Sequence, residues 1–204
     1  MLSKMNNPAF LVEGDLEQKF VQNVCPKSPV RRINCNGKTV EISEIAKRVG
    51  TLGRLLHKRY SPLVVVFDRE KRPESCEDIE RIFRTSLEQE DIDVPVLVGI
   101  PDRDIENWIL ADFEIFVNVT KIEKPTAKIH FEGKKGKSEI RKLLPPNKTY
   151  VETIDGVSWL RRCRPTKMIC SASFDRFAKV MKEIPCWWLS ENKFELKSED
   201  SQLI

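Results

Sequence analysis

Apolar positions along this chain fall into two rhythms that take turns. Short unbroken runs occur at 9 to 12 (AFLV), 62 to 67 (PLVVVF) and 94 to 100 (VPVLVGI). Between them, apolar residues recur every three or four positions. An unbroken apolar run suits a strand covered on both faces, as in a parallel sheet. A period of three to four suits a helix with one buried stripe. Leu16, Phe20 and Val24 predict a helix from about Asp15. Ile42, Ile45, Ala46, Val49, Leu52 and Leu56 predict another over 41 to 59, and Ile79, Phe83 and Leu87 a third. Strand, helix, strand, helix at this spacing predicts βαβ units in an open, mostly parallel α/β sheet flanked by helices.

Other segments are less regular. Residues 29 to 40 (PVRRINCNGKTV) predict an extended stretch and a turn at Asn36-Gly37, a dipeptide favoured in hairpins. After Pro101 one helix is expected through Ile105, Trp108, Ile109, Phe113, Phe116 and Val117, apolar nearly all round. Residues 121 to 136 read as a basic loop or hairpin, followed by a short helix at 137 to 144 that stops at Pro145-Pro146. A last helix is expected from Ser173 as N-cap, with Phe174, Phe177, Val180 and Met181 on one face. The organisation expected is one domain over 1 to 189. Its core covers about 9 to 120, a smaller basic and helical part about 121 to 189, and a polar tail 190 to 204.

Composition narrows the class. In 204 residues, 40% are apolar and 32% charged, ample for a core without pervasive disorder. No apolar run approaches the ~20 residues of a membrane span, and MLSKMNNPAF lacks a signal-peptide pattern. A cytoplasmic protein with no membrane partner is expected. Six cysteines without a CxxC pair and two distant histidines argue against zinc and for free thiols. The net charge of +4 matters less than its distribution. Residues 133 to 148 and 161 to 167 are basic, while acids gather between 68 and 114. That division suits a metal centre beside a polyanion site, and equally an unevenly charged solvated surface.

Ligands of parallel α/β sheets bind at the carboxyl ends of the strands. Each predicted strand is followed by acids there: Glu13; Asp68 and Glu70; Asp102, Asp104 and Glu106. Such a cluster offers the hard oxygen ligands that Mg²⁺ requires, and two ions about 4 Å apart can clamp a phosphodiester. Ordinary readings stand beside this one. Asp15, Glu17, Asp102 and Asp104 sit where first-turn acids favour a helix dipole. Asp68 and Glu70 could pair with Arg69, Lys71 or Arg72. Glu13 and Glu106 are harder to explain so, because each adjoins apolar structure where an unpaired charge is costly. Lys134, Lys135 and Lys137 lie near two glycines that would let a phosphate approach, and Arg141, Arg161, Arg162 and Arg164 could add backbone contacts. No strand–GxxxxGK[ST]–helix unit is present. Trp159, Trp187 and Trp188 read as core or interface aromatics.

Taken in order, these residues resemble a family. Glu13-Gly14 at a strand end, Glu17, and an apolar strand ending in Asp68-x-Glu70 resemble the Toprim fold. That Rossmann-type domain is the metal-binding catalytic unit of topoisomerases, primases and the nucleases associated with overcoming-lysogenization-defect proteins. IPDRDIENWILAD (100 to 112) looks like the Glu-x-Trp-x-Leu-Ala-Asp motif of a Toprim-like group, the 4276 domain of unknown function. CSASFDRFAKVM (170 to 181) is similar to that group's closing Ser-x-Ser-Phe helix. The resemblance spans roughly 9 to 184.

It implies that Glu13 is the acid/base or metal-binding glutamate, with Glu17, Asp68, Glu70 and Glu106 as further ligands. Glu70 stands where the Toprim pattern has aspartate. It also implies an ATPase partner of the ABC or AAA type encoded nearby, often in phage defence. The function expected is therefore Mg²⁺- or Mn²⁺-dependent cleavage of DNA or RNA. Glu13 and Asp68 would be at its centre, and Lys134 or Lys137 would steady the developing charge. Two alternatives remain: a non-catalytic module that regulates an ATPase, and a phosphotransferase or phosphatase on a small substrate.

Overall fold

The AFLV run forms β1 (Ala9–Val12), buried at every position, and the helical stripe after it forms α1 (Asp15–Val24). The chain continues through β2 (Val30–Arg32), α2 (Ile42–Leu56), β3 (Leu63–Val66), α3 (Cys76–Leu87) and β4 (Val96–Gly99). Then come α4 (Glu106–Ala111), α5 (Phe113–Thr120), α6 (Gly136–Leu143), α7 (Val157–Arg162), α8 (Pro165–Met168) and α9 (Ala172–Met181). This computed structural model describes residues 7–35, 40–123, 130–182 and 184.

The four strands form one sheet in the order β2-β1-β3-β4, every pair parallel. Alternation along each strand divides the core in two. Ala9, Leu11, Leu63 and Val65 face α2 and α3, whereas Phe10, Val12, Val64 and Val66 face α1 and the helices after β4. The α/β class expected from the apolar runs is the one found. From β1 the chain steps outward to β2, then returns to place β3 on the other side of β1. Strand order therefore reverses between β1 and β3, where a doubly wound sheet opens a crevice at its carboxyl edge.

Four expectations need correction. The extended stretch at 29 to 40 is not the arm of a hairpin with its neighbour. Its described part contains β2, which pairs parallel to β1 after the α1 crossover, and Asn36-Gly37 lies outside the described residues. The helix beyond Pro101 breaks at Asp112, whose carboxylate accepts from the Ile115 amide (3.4 Å) and so caps a new helix. The last helix is capped by Ser171, which accepts from Phe174 N, not by Ser173. Finally, Cys25 is disulfide-bonded, while Cys35, Cys76 and Cys163 are free thiols. Sequence spacing alone cannot reveal such a pairing.

α7, α8 and the π-helical turn Glu152–Gly156 had no clear periodic signal, being four to six residues long. Trp159 is a core residue, stacked on Tyr150 with ring centroids 5.3 Å apart. Trp187 and Trp188 lie outside the described residues, as does the expected tail. Among the described residues no helix is long and apolar enough to cross a membrane.

Candidate functional site

A side-chain hydrogen bond spans the reversal between β1 and β3. Glu13, the first residue past β1, accepts from the Asp68 amide through Oε2 at 2.8 Å. Its own amide donates to Val66 O at 3.0 Å, extending the β1–β3 ladder to the sheet edge. The two acids that the apolar runs deliver to this edge are thus held together by backbone geometry. Burial pushes the Glu13 carboxyl above its usual range, and Glu70 adds to this, partly offset by the Asp68 amide and Arg72.

Gly14 and Glu17 fold inward from the same turn. Gly14 is the N-cap of α1, and its amide donates to Glu17 Oε2 at 3.1 Å. The bond turns Glu17 back over the helix end, where it is 6% exposed. Its pKa rises to about 7, chiefly through burial, with repulsion from Glu13 and Glu106. Glu17 is therefore a helix-capping residue and a member of the cluster at once. Asp15 instead turns outward to Arg32 at 2.6 Å.

Asp68 sits at the centre. Burial drives its carboxyl well above the ordinary range, and Glu17, Glu13, Asp104 and Glu106 all push in the same direction. Its Oδ1 is buried with no hydrogen-bond partner among the described residues. The arginines beside it are turned elsewhere. Arg69 pairs with Asp102 at 2.6 Å, and Arg72 donates to the carbonyls of Asp68, Arg69 and Val40. The expected pairing of Asp68 with either guanidinium is not what forms.

Past β4, the alternating acids of PDRD separate by role. Asp102 accepts from Arg69 and from the Gly133 amide, so it anchors the turn. Asp104 points into the cluster, 5% exposed, and its pKa rises to about 7. Burial is the main cause, then Glu106, against the Lys137 amide that donates to both carboxylate oxygens at 3.3 Å. Neither residue belongs to the first turn of α4, which begins at Glu106, so the helix-dipole reading of both gives way. Glu106 is 2% exposed and accepts from the Tyr150 hydroxyl at 3.0 Å. Burial raises its pKa, and Lys137 opposes the rise.

Asp104 stands among the strand-end acids of the sequence but outside the implied ligand set, and Tyr150 is not singled out there at all. The Asp-x-Asp alternation after a strand was a usable signal for the first, whereas nothing local marks Tyr150. Glu70 reaches the same edge in a left-handed conformation (φ 52°), its amide bonded to Arg103 O at 2.7 Å.

Of the predicted cations, Lys135 and Lys137 line a cleft of about 480 Å³ beside Asp68, Glu70 and Asp104. Lys137 is ion-paired to Glu152 at 2.8 Å. Burial lowers its pKa, but Glu106, Glu152 and Asp104 more than offset this, so it stays protonated. Lys134 and Arg141 are exposed and do not line that cleft, nor do Arg161 and Arg162 at the end of α7. Arg164 is held by Asp112 and Glu114, each at 2.7 Å.

The donor set suits a hard divalent cation in kind, being oxygen throughout. Asp68 Oδ1 has no partner among the described residues, and the neighbouring acids raise one another's pKa. Among the described residues, no three His, Cys, Asp or Glu side chains converge as a ready-made cage. Comparison of the chain with protein-family models, curated proteins and solved structures returned no match.

Proposed function

We propose that this chain is a Toprim-like, divalent-metal-dependent phosphodiesterase acting on the backbone of DNA or RNA. The observation that carries the reading is the carboxylate cluster at the strand-order reversal. Glu13 is bound to the Asp68 amide there, and Asp68 Oδ1 has no partner among the described residues. Glu13, Asp68 and Asp104 would hold Mg²⁺ or Mn²⁺, with Glu17, Glu70 and Glu106 around them. When bound, such an ion supplies Lewis-acid stabilisation to a phosphate oxygen and lowers the pKa of a water.

The chain's own residues supply the rest. Lys137, kept protonated by its carboxylate neighbours, is an acid and not a base, suited to steadying charge on a departing oxygen. The Glu106–Tyr150 bond fixes one carboxylate by donating to it. By the family resemblance, an ABC- or AAA-type ATPase is the partner that controls cleavage in a phage-defence setting.

One observation favours a rival, a non-catalytic module that regulates such an ATPase. Oxygens of Glu13 and Glu17 already accept from backbone amides, so part of the cluster serves the fold. The deciding experiment is Mg²⁺- or Mn²⁺-dependent cleavage of oligonucleotides, with and without the neighbouring gene's product. Glu13→Gln and Asp68→Asn should each abolish it while the fold survives. Unchanged cleavage by both variants would sink the reading.

A further inference from the structure

We propose that the sheet-edge cleft contains a phosphate-binding subsite. In it Lys71, Arg103 and Lys135 hold a backbone phosphodiester without contacting a base. The ligand assignment rests on the phosphodiester reading above, whereas the subsite itself needs no cleavage. Besides Asp68, Glu70 and Asp104, the cleft is lined by Lys71, Arg103, Lys135, Lys137 and Gly133. Every lining side chain is charged. Among the described residues no aromatic lines it to stack a base and no side-chain amide to read its edge. Such a lining selects charge, and its four cations outnumber its three acids.

The cations differ in what they have left to offer. Lys137 is tied to Glu152. The exposed ammonium groups of Lys71 and Lys135 make no hydrogen bond or ion pair among the described residues. Arg103 stands between the two turns in a left-handed conformation (φ 67°). Its Nε donates to Gly133 O at 3.1 Å and its Nη1 to Glu70 O at 2.9 Å. Two carbonyls from different loops thus fix the guanidinium plane, and its Nη2 edge has no partner among the described residues. A guanidinium held in place before the ligand arrives suits the forked geometry of a phosphate. A Cβ on Gly133 would meet nothing within 4 Å, so space is open beside this rim.

The test measures binding of the full chain to labelled oligodeoxythymidylate and oligodeoxyadenylate by fluorescence anisotropy. Ca²⁺ is present, and salt is varied. Lys71→Ala/Lys135→Ala, which alters two exposed side chains, should weaken both oligonucleotides about tenfold or more at low salt. It should also flatten the log–log salt slope by roughly 1.4, two contacts at about 0.7 each for a single strand. Arg103→Lys should weaken binding further, and an uncharged methylphosphonate backbone should not bind.

Unchanged affinity and slope in the double variant overturn the subsite, as does a strong preference for one base. Inorganic phosphate binding that depends on Lys71 and Lys135, with no oligonucleotide binding, overturns the nucleic-acid assignment in favour of a small phosphate. The two readings fail separately. Loss of oligonucleotide binding in the double variant, with cleavage intact in Glu13→Gln, leaves the subsite standing and removes the metal reading. The reverse pattern removes the subsite alone.

Discussion

Glu106 opens α4 and Asp112 closes it, and both are almost withdrawn from water, at 2% and 1% exposure. The fold treats them in opposite ways. Asp112 receives two side-chain bonds from Arg164 (2.7 and 2.9 Å) and the Arg164 amide at 2.8 Å. Asp102 is served similarly by Arg69. Glu106 accepts from a tyrosine hydroxyl and lies among Asp104, Glu17 and Asp68, with the Lys137 ammonium, not an arginine, opposing its shift. Burial alone therefore does not tell a carboxylate compensated by a guanidinium from one that has none. Of the two buried arginines that follow Asp68, Arg69 turns to Asp102 and Arg72 to backbone carbonyls, that of Asp68 among them, so neither pairs with the Asp68 carboxylate.

The comparison is broken most decisively by metal titration. Calorimetry with Mn²⁺ should show binding to the wild-type chain and a loss of at least about 100-fold in affinity for Asp68→Asn or Glu13→Gln. Even residues that only support metal ligands cost 10–100-fold. Both changes keep a carbonyl oxygen in place, so melting temperature should hardly fall. Wild-type protein that takes up no Mn²⁺ would make the cluster structural and favour the regulatory module.

The next effect lies on the paired side. Arg164→Met leaves Asp112 buried and uncompensated, a loss of about 3 kcal/mol, or roughly 6–12 °C in melting temperature for a chain of this size. Because Arg164 is itself partly exposed, the loss should not exceed that. Mn²⁺ affinity and the salt dependence of oligonucleotide binding should be unchanged. A change in salt slope without destabilisation would return Arg164 to the role of a phosphate contact.

The same contrast explains what was legible in the sequence. The strands, and the acids at their ends, could be read because an unbroken apolar run has few alternatives in a parallel sheet. Glu13, Asp68 and Glu106 follow from that placement alone. The partner of each acid could not be read. Asp102 and Asp104 are two residues apart in one turn, and Arg103 between them takes a left-handed conformation that sends one acid to Arg69 and the other inward. Tyr150 reaches Glu106 across 44 residues, and Arg164 reaches Asp112 across 52. Those contacts depend on how α6 and α7 dock, which a local pattern does not specify even where, as for α6, it marks the helix itself.

A smaller effect should appear as a pH dependence of stability in the metal-free protein. Glu17 and Asp104 have pKa values of about 7 when folded, against ordinary values of 4.5 and 3.8. Between those limits the folded chain binds more protons than the unfolded one, so stability falls as pH rises from about 4 to about 7 and then levels off. Asp104→Asn should reduce the slope and stabilise the metal-free protein at pH 8, and Mn²⁺ should flatten the wild-type curve. A melting temperature that rises across this window, equally in both proteins, would mean that these acids ionise without cost. The cluster would then no longer differ from the paired sites.

The smallest change tests whether Glu17 belongs to both sides of the comparison. A Cβ on Gly14 would lie 3.0 Å from Glu17 Oε2, a tight contact, although the backbone there (φ −130°) accepts any residue. Gly14→Ala should therefore cost about 0.5–1 kcal/mol by crowding the carboxylate out of its bond to the cap amide, a helix N-cap being worth about that much. If Glu17 also helps to hold the metal, Mn²⁺ affinity should weaken severalfold with it, as calorimetry on the same variant would show. Lower stability with unchanged affinity would assign Glu17 to the helix cap alone, leaving Glu13, Asp68, Asp104 and Glu106 as the candidate acids for the proposed metal.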